Sequence, residues 1–164
     1  MIQHTFGLLV RPSVQWRVIA DLPESSFRTL ILYPCFLAIL PAVAWYYGTS
    51  HVGWTVGDKG DAIKLTVESA RQISVLFYLA MLGSVAVIGY FIHWMAETYG
   101  AASTLTKGIV ITGLTSTPLF IAGLVGFYPL LWIDLLIGVG AVSLSVYLVY
   151  LGILIVMDIP EARG

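Results

Sequence analysis

The sequence predicts an all-α fold, a polytopic bundle of transmembrane helices with four spans. Of the 164 residues, 59% are hydrophobic and only 10% are charged. A soluble domain averages roughly 25% charged residues because its surface must face water. The apolar residues also gather in four long stretches, and such stretches form helices in lipid because each backbone polar group must be satisfied within its own segment. Composition and patterning therefore indicate the same class.

The predicted spans are defined by their length and by the absence of charge. The first runs from Thr29 to Tyr47 without a charged residue, and a helix of that length matches a hydrocarbon core of about 30 Å. A long polar connection follows it, whereas Pro129 marks a tight turn between the last two stretches. The predicted transmembrane domain covers residues 29–157, with spans at about 29–47, 73–94, 108–127 and 130–157.

The distribution of lysine and arginine predicts the orientation of these spans. Three arginines precede the first span, one lysine separates the second from the third, and one arginine lies in the C-terminal tail, which makes five cations on one side. The other side has three. Cytoplasmic segments carry the excess of basic residues. We therefore expect a multi-pass protein of the cell (inner) membrane whose N-terminus and tail, residues 158–164, are cytoplasmic.

Residues 1–28 form a predicted cytoplasmic, amphipathic N-terminal segment. Pro12 is suited to open a short helix that continues through Ala20, with apolar side chains one turn apart. Arg11 and Arg17 beside these apolar groups favour a helix that lies at the headgroup layer of the membrane. A loosely ordered leader is the alternative interpretation.

A polar segment with a proline lies near the middle of the third predicted span. Pro118 removes a backbone donor and displaces the carbonyl group of Leu114. Thr115, Ser116 and Thr117 precede it directly, so their hydroxyls can satisfy the freed backbone groups or present oxygens to an ion or a lipid headgroup. Two interpretations stay open, a structural kink and a functional hinge or polar path.

Asp134 is the most suggestive ionisable residue of the spans. A carboxylate within an apolar helix is costly unless it is hydrated, paired or protonated. Asp134 lies five residues after Pro129, however, which is close enough to the turn to reach interfacial water. It is either an interfacial anchor or a polar element of a pore or pocket.

His93 and Glu97 are predicted to form an interfacial pair at the end of the second span. They are four residues apart and therefore share one face of a helix. Two ligands do not make a metal site. The sequence has a single cysteine, Cys35, inside an apolar stretch. We expect neither a metal nor a cofactor.

Small residues and prolines predict where the helices pack. Pro34 and Pro41 are seven residues apart and lie nearly on one face of the first span, where the carbonyl groups they displace require a protein neighbour. Small residues at four-residue spacing let helix backbones approach closely. The fourth span is rich in them, which favours self-association. The candidate packing residues are Pro34, Pro41, Ala80, Ser84, Ala122, Gly126 and Gly140.

Neither an enzyme nor a nucleic-acid-binding protein is indicated. No nucleophile elbow, zinc-protease motif, phosphate-binding loop or dinucleotide fingerprint occurs in the sequence. The net charge is −1, without a run of basic residues, so nucleic acid is not an expected partner. We expect a non-enzymatic protein whose partners are membrane lipids, further copies of the chain and other membrane proteins.

The chain resembles the Yip1 family of multi-spanning membrane proteins in its small prokaryotic form. The resemblance covers nearly the whole chain, and its motifs are short. An Arg-Pro pair followed by a tryptophan precedes the first span. The other matching positions are Tyr99, Gly100, Thr117, Pro118, Pro129, Tyr150, Leu151, Gly152, Met157 and Pro160.

This resemblance implies a helical fold in the cell membrane with a cytoplasmic N-terminus. Family members typically have five spans, which implies a fifth beyond Gly164. Eukaryotic members act in vesicle trafficking with small GTPases and carry a long polar N-terminal domain. Only 28 residues precede the first predicted span here, so that activity is not transferred.

The sequence thus predicts a membrane protein of the Yip1 type that acts through self-association and through contacts with membrane proteins or lipids. The alternative is an oligomeric transport or channel component. In that case Thr115, Ser116, Thr117, Pro118 and Asp134 would line a polar path at a subunit interface.

Overall fold

The computed structural model describes residues 7–54, 62–101 and 103–157, and these residues are mostly helical. The predicted cytoplasmic tail, residues 158–164, lies outside the described residues. One isolated antiparallel bridge joins Trp54 to Ile63. The helices are α1 (Pro12–Ala20), α2 (Glu24–Leu30), α3 (Tyr33–Leu37), α4 (Ile39–Tyr47), α5 (Val67–Thr98), α6 (Leu105–Thr115), α7 (Thr117–Ala122) and α8 (Leu131–Val156), with a π-helical turn at Gly48–Val52 and a 3-10 turn at Gly123–Phe127.

Within the described ranges, four helical segments are long and apolar enough to cross a membrane. This confirms the predicted all-α polytopic bundle. The first three segments extend beyond the ranges predicted from the sequence, because polar turns continue each helix past its apolar part, whereas the fourth lies within the predicted range 130–157. We call them span 1 (Ser25–Val52), span 2 (Val67–Thr98), span 3 (Leu105–Phe127) and span 4 (Leu131–Val156).

The prolines explain why span 1 is built from several short helices. Pro34 displaces the carbonyl of Leu30, where α2 ends, and Pro41 displaces the carbonyl of Leu37, where α3 ends. Each proline therefore interrupts the regular hydrogen bonding one turn before its own position. The result is a kinked span rather than a straight rod.

The two prolines of span 1 pack against glycines of span 3. A Cβ atom added at Gly113 would lie 3.0 Å from Cγ of Pro34, and one added at Gly123 would collide with Cβ of Pro41. The proline stripe thus has the protein neighbour that it requires, since the absence of a side chain on span 3 leaves room for each ring. Gly126 receives the indole ring of Trp45 in the same way.

Spans 2 and 3 approach each other closely at a second pair of glycines. A Cβ atom at Gly89 would lie 2.7 Å from Cα of Ile109, and a Cβ atom at Gly108 would collide with the carbonyl oxygen of Gly89. Val85 and Ile92, on the same face of span 2, are buried. This contact joins the two helices backbone to backbone.

Helix α1 is present as predicted, and its opposite faces have different surroundings. Trp16 and Ile19 are fully buried, whereas Val14 and Val18 are exposed. The two buried residues belong to a cluster of buried hydrophobic residues that we call the main core and that also includes Leu8, Phe27, Leu30, Ile111, Leu114 and Val156. The indole of Trp16 contacts Gly152 near the C-terminal end of span 4. The valines and the buried pair lie on opposite sides because of the 3.6-residue helical period. The main core therefore sits at the end of the bundle that carries α1.

Candidate functional site

The hydroxyls before Pro118 all bond to backbone carbonyls of their own helix. Thr117 Oγ1 donates to the carbonyl of Leu114 at 2.6 Å, which is the carbonyl that Pro118 deprives of its usual partner. Thr115 and Ser116 donate to the carbonyl of Thr112 at 3.1 and 2.8 Å. The backbone carbonyl groups at the kink therefore accept hydrogen bonds from side chains of the same helix, in a region where water is scarce.

Thr117 faces span 1. Its hydroxyl oxygen lies 2.9 Å from the hydroxyl of Tyr33, and both side chains are buried. Because the Thr117 hydrogen is directed to Leu114, the Tyr33 hydroxyl is the donor in this contact. Thr117 and Pro118 thus belong to the interface between spans 1 and 3.

Thr115 and Ser116 instead line a cleft between spans 2, 3 and 4, with a volume of about 220 Å³. The floor of the cleft is polar and buried, and its rim is apolar, with Ile88, Val142 and Val146 all exposed. Among the described residues, the lining consists of Ile88, Thr112, Thr115, Ser116, Leu119, Val142, Ser145, Val146 and Val149.

The hydroxyl chemistry of the cleft favours ligands that donate hydrogen bonds or carry positive charge. Thr112 donates to the carbonyl of Gly108 at 3.0 Å, and the hydroxyls of Thr115 and Ser116 are likewise engaged as donors. Their oxygens therefore offer only lone pairs to the cleft. Within the described part of the chain, the buried hydroxyl of Ser145 has no hydrogen-bond partner.

Sequence reasoning did not single out Thr112 or Ser145 as polar site residues. Thr112, Thr115 and Ser116 have the spacing i, i+3, i+4, which places them on one helical face and could have indicated Thr112. Nothing in the sequence indicates Ser145, because its place opposite span 3 depends on the packing of two helices.

The predicted path from Pro118 to Asp134 is not a continuous surface in this chain. Consecutive helical residues point about 100° apart, so Ser116 and Thr117 face different neighbours. Asp134 does not line the cleft. It lies eleven residues before Ser145, roughly 16 Å along span 4. Both of its carboxylate oxygens are buried, without a hydrogen-bond partner among the described residues.

His93 and Glu97 are adjacent at the end of span 2. Nε2 of the imidazole lies 3.7 Å from Oε2 of Glu97, and Nδ1 lies 3.1 Å from the hydroxyl of Ser103. The histidine thereby links the end of span 2 to the segment that leads into span 3. Throughout the described ranges, no three side chains of the metal-binding types gather into a possible site.

The candidate packing residues divide into two groups. Pro34, Pro41 and Gly126 lie at the interface between spans 1 and 3, with Ala122 half-buried nearby. Ala80, Ser84 and Gly140 are exposed, so any packing role for them requires a partner outside this chain. The close contact of span 2 with its neighbour is made by Gly89 instead.

Comparison with known proteins places this architecture in a family. The Yip1 domain matches residues 6–164. The inner membrane protein YohC of Escherichia coli strain K12 is 36% identical over 163 residues, which cover 99% of this chain and 83% of that protein. The YohC protein of E. coli O6:H1 strain CFT073 matches to the same extent. No solved structure matches. The resemblance read from the sequence is confirmed, and this integral membrane protein belongs to the Yip1 family.

Proposed function

We propose that this chain is a non-enzymatic protein of the cell membrane that acts by self-association and by contacts with other membrane proteins and lipids. Its N-terminus is cytoplasmic in this proposal, in agreement with the excess of basic residues on that side. The proposal rests chiefly on one observation, the character of the outward face of span 4.

Span 4 presents a narrow seam of two small residues between two large ones on the side away from the bundle. Leu136, Gly140, Ser143 and Tyr147 follow each other at spacings of four, three and four residues, and all four are exposed. Apart from the neighbouring backbone of its own helix, no atom of the described residues lies within 4 Å of a Cβ atom added at Gly140. This spacing is the one that lets two helices interlock along a shallow left-handed crossing.

A second helix fits this seam better than lipid does. Lipid tails are as apolar as leucine, so an exposed apolar side chain alone does not drive association of helices in a membrane. A small residue flanked by larger ones lets two backbones approach and gain close van der Waals contact. Leu136 and Tyr147, on either side of Gly140 and Ser143, provide the larger groups. A second copy of span 4 can supply the same seam in return.

Substitution of Gly140 by leucine tests self-association. The added side chain fills the space that the partner backbone would occupy, and we expect the dissociation constant of the oligomer to rise at least about tenfold, or about 1.4 kcal/mol. The mass of the detergent-solubilised particle, measured over a range of protein concentrations, reports this change. Gly83→Leu is the matched control, because Gly83 lies on the exposed side of span 2 with equally open space around it.

The outcomes separate the possible interfaces. An oligomer that dissociates with Gly140→Leu but not with Gly83→Leu supports the seam of span 4. Dissociation with Gly83→Leu alone would move the contact to span 2, where Ala80 and Ser84 are also exposed. A wild-type particle of monomeric mass at all concentrations would contradict self-association.

The hydroxyl-lined cleft favours the alternative, a transport or channel component. Its free lone pairs suit a cation, and in an oligomer its apolar rim could be closed by a neighbouring copy. If this alternative holds, purified protein in liposomes conducts cations, and the double substitution Thr115→Val with Ser145→Ala lowers the flux at least about tenfold. Thr117→Val is the control, since Thr117 faces Tyr33 instead. Flux no greater than that of empty liposomes would exclude this alternative.

A further inference from the structure

A small polar pocket lies at the end of the bundle that carries α1, between spans 1 and 3. Its volume is about 160 Å³, more than ten times the roughly 10–15 Å³ that one water molecule requires. The lining consists of Phe27, Arg28, Thr104, Thr106 and Lys107. Two cations from different spans thus share one cavity with two hydroxyls.

Among the side chains that the structure describes, which do not include that of Glu24, neither cation of this pocket has a carboxylate partner. The contacts found between basic and acidic side chains are the ion pair of Arg71 with Glu68 and the approach of His93 to Glu97, and neither involves Arg28 or Lys107. Two like charges that share a cavity repel each other, and an anion between them removes that repulsion. The pocket therefore favours a negatively charged ligand.

The hydroxyls of the pocket are available as donors. Thr104 accepts a hydrogen bond from the backbone N–H of Lys107 at 3.3 Å, which leaves its own hydrogen free. The side-chain hydroxyl of Thr106 makes no hydrogen bond with the other described residues. A guanidinium group, an ammonium group and two hydroxyls form a donor set that suits the oxygens of a phosphate group.

The depth of the pocket favours a lipid headgroup as the source of that phosphate. Arg28 is three residues from the start of span 1, and Lys107 is two residues from the start of span 3. Both therefore lie where a spanning helix leaves the hydrocarbon core and meets the headgroups. Basic pockets between transmembrane helices bind anionic headgroups at this level. The buried ring of Phe27 forms an apolar wall on one side.

The overall charge of this end of the bundle contributes little to the selectivity. Arg11 and Arg17 add two cations there, and Asp21 and Glu97 add two carboxylates in the same terminal segments. These four charges lie outside the lining of the pocket, so recognition depends on Arg28 and Lys107, which belong to that lining.

We propose that the pocket formed by Arg28, Thr104, Thr106 and Lys107 binds the phosphate group of an anionic phospholipid. Each cation contacts the phosphate oxygens, and the acyl chains lie along the outer surface of the bundle. The site does not rest on the self-association proposed above, because all of its residues come from one chain. A monomeric protein would retain it.

The test uses the whole protein in a maltoside detergent, which contains no phosphate. Dioleoylphosphatidylglycerol and dioleoylglycerol have the same acyl chains and differ in the phosphoglycerol headgroup, so their titration isolates the contribution of that headgroup. Native mass spectrometry measures the bound lipid, and the melting temperature measures stabilisation. We expect wild-type protein to bind phosphatidylglycerol, and the double substitution Arg28→Gln with Lys107→Gln to weaken this binding at least about tenfold, or about 1.4 kcal/mol.

Two further variants test whether the loss of lipid binding is specific to the charges of the pocket. Arg17→Gln removes an exposed cation from α1 outside the pocket, and the lipid affinity should be unchanged. Arg28→Lys with Lys107→Arg keeps both charges and should retain most of the binding. Equal affinity of the double glutamine variant and the wild type would overturn the proposal, as would equal binding of the two lipids.

A third arm distinguishes lipid from free phosphate. Inorganic phosphate is added to the lipid-free protein and compared with chloride at equal ionic strength. Stabilisation of the wild type by phosphate, lost in the double glutamine variant, supports the anion site if phosphatidylglycerol also binds. Stabilisation by inorganic phosphate without any binding of phosphatidylglycerol would overturn the assignment to lipid.

Discussion

Replacement of Trp16 by alanine should lower the free energy of unfolding by about 3–5 kcal/mol, the usual range for truncating a buried aromatic residue. The Trp16 side chain is fully buried and belongs to the main core. It joins α1 to span 4 at Gly152, where a Cβ atom would lie 2.9 Å from its ring. Its indole N–H has no hydrogen-bond partner within the described part of the chain, so the loss is one of packing. Unfolding by sodium dodecyl sulfate, followed by circular dichroism, measures the effect.

Trp132→Ala is the matched control for this prediction. Trp132 is 70% exposed on span 4, so its truncation removes the same group without creating a cavity in the core. A loss of stability as large as that of Trp16→Ala would show that the change reflects tryptophan removal in general. Unchanged stability of Trp16→Ala would show that α1 does not anchor the bundle.

Substitution of Gly89 by alanine should destabilise the contact between spans 2 and 3 by about 1–3 kcal/mol. The new Cβ atom would lie 2.7 Å from Cα and 2.9 Å from the amide nitrogen of Ile109. These are backbone atoms, so no side chain can rotate away and the helices must move apart. The same unfolding measurement applies.

Gly83→Ala tests the same chemical change six residues earlier in the same helix. Among the described residues, no atom outside its own stretch of helix lies within 4 Å of a Cβ atom added at Gly83. Alanine is also favoured over glycine in a helix by up to about 1 kcal/mol. We therefore expect Gly83→Ala to be neutral or stabilising. If both substitutions destabilised the protein equally, the close approach at Gly89 would not be the cause.

The different behaviour expected of these two glycines illustrates what sequence patterns can identify in a membrane protein. Ala80 and Ser84 have the four-residue spacing of a packing motif, yet both are exposed, whereas Gly89 makes the contact. A soluble helix reveals its buried side by amphipathicity. In a span, both the lipid side and the protein side are apolar, so hydropathy does not indicate the rotation of the helix about its axis.

The effects of the prolines, by contrast, can be located from the sequence, because each proline acts on backbone groups within one helical turn. Pro34, Pro41 and Pro118 predict where helices are interrupted, since each ring displaces a carbonyl at a known distance along the chain. The structure adds which groups compensate. Thr117 bonds to the carbonyl displaced by Pro118, while glycines of span 3 make room for the two rings of span 1.

The sequence alone determined the membrane class, the number of spans in the described chain and the position of the kinks, because hydropathy, chain length and proline sterics act along the chain. It also determined the family, through short motifs that can be read in the sequence. Tertiary structure alone decided that Trp16 enters the core, that Thr117 and Ser116 face different neighbours, and that Arg28 and Lys107 share a pocket. Those outcomes depend on how each helix is rotated against the next, and a chain whose spans are apolar on every side does not encode that rotation in its pattern.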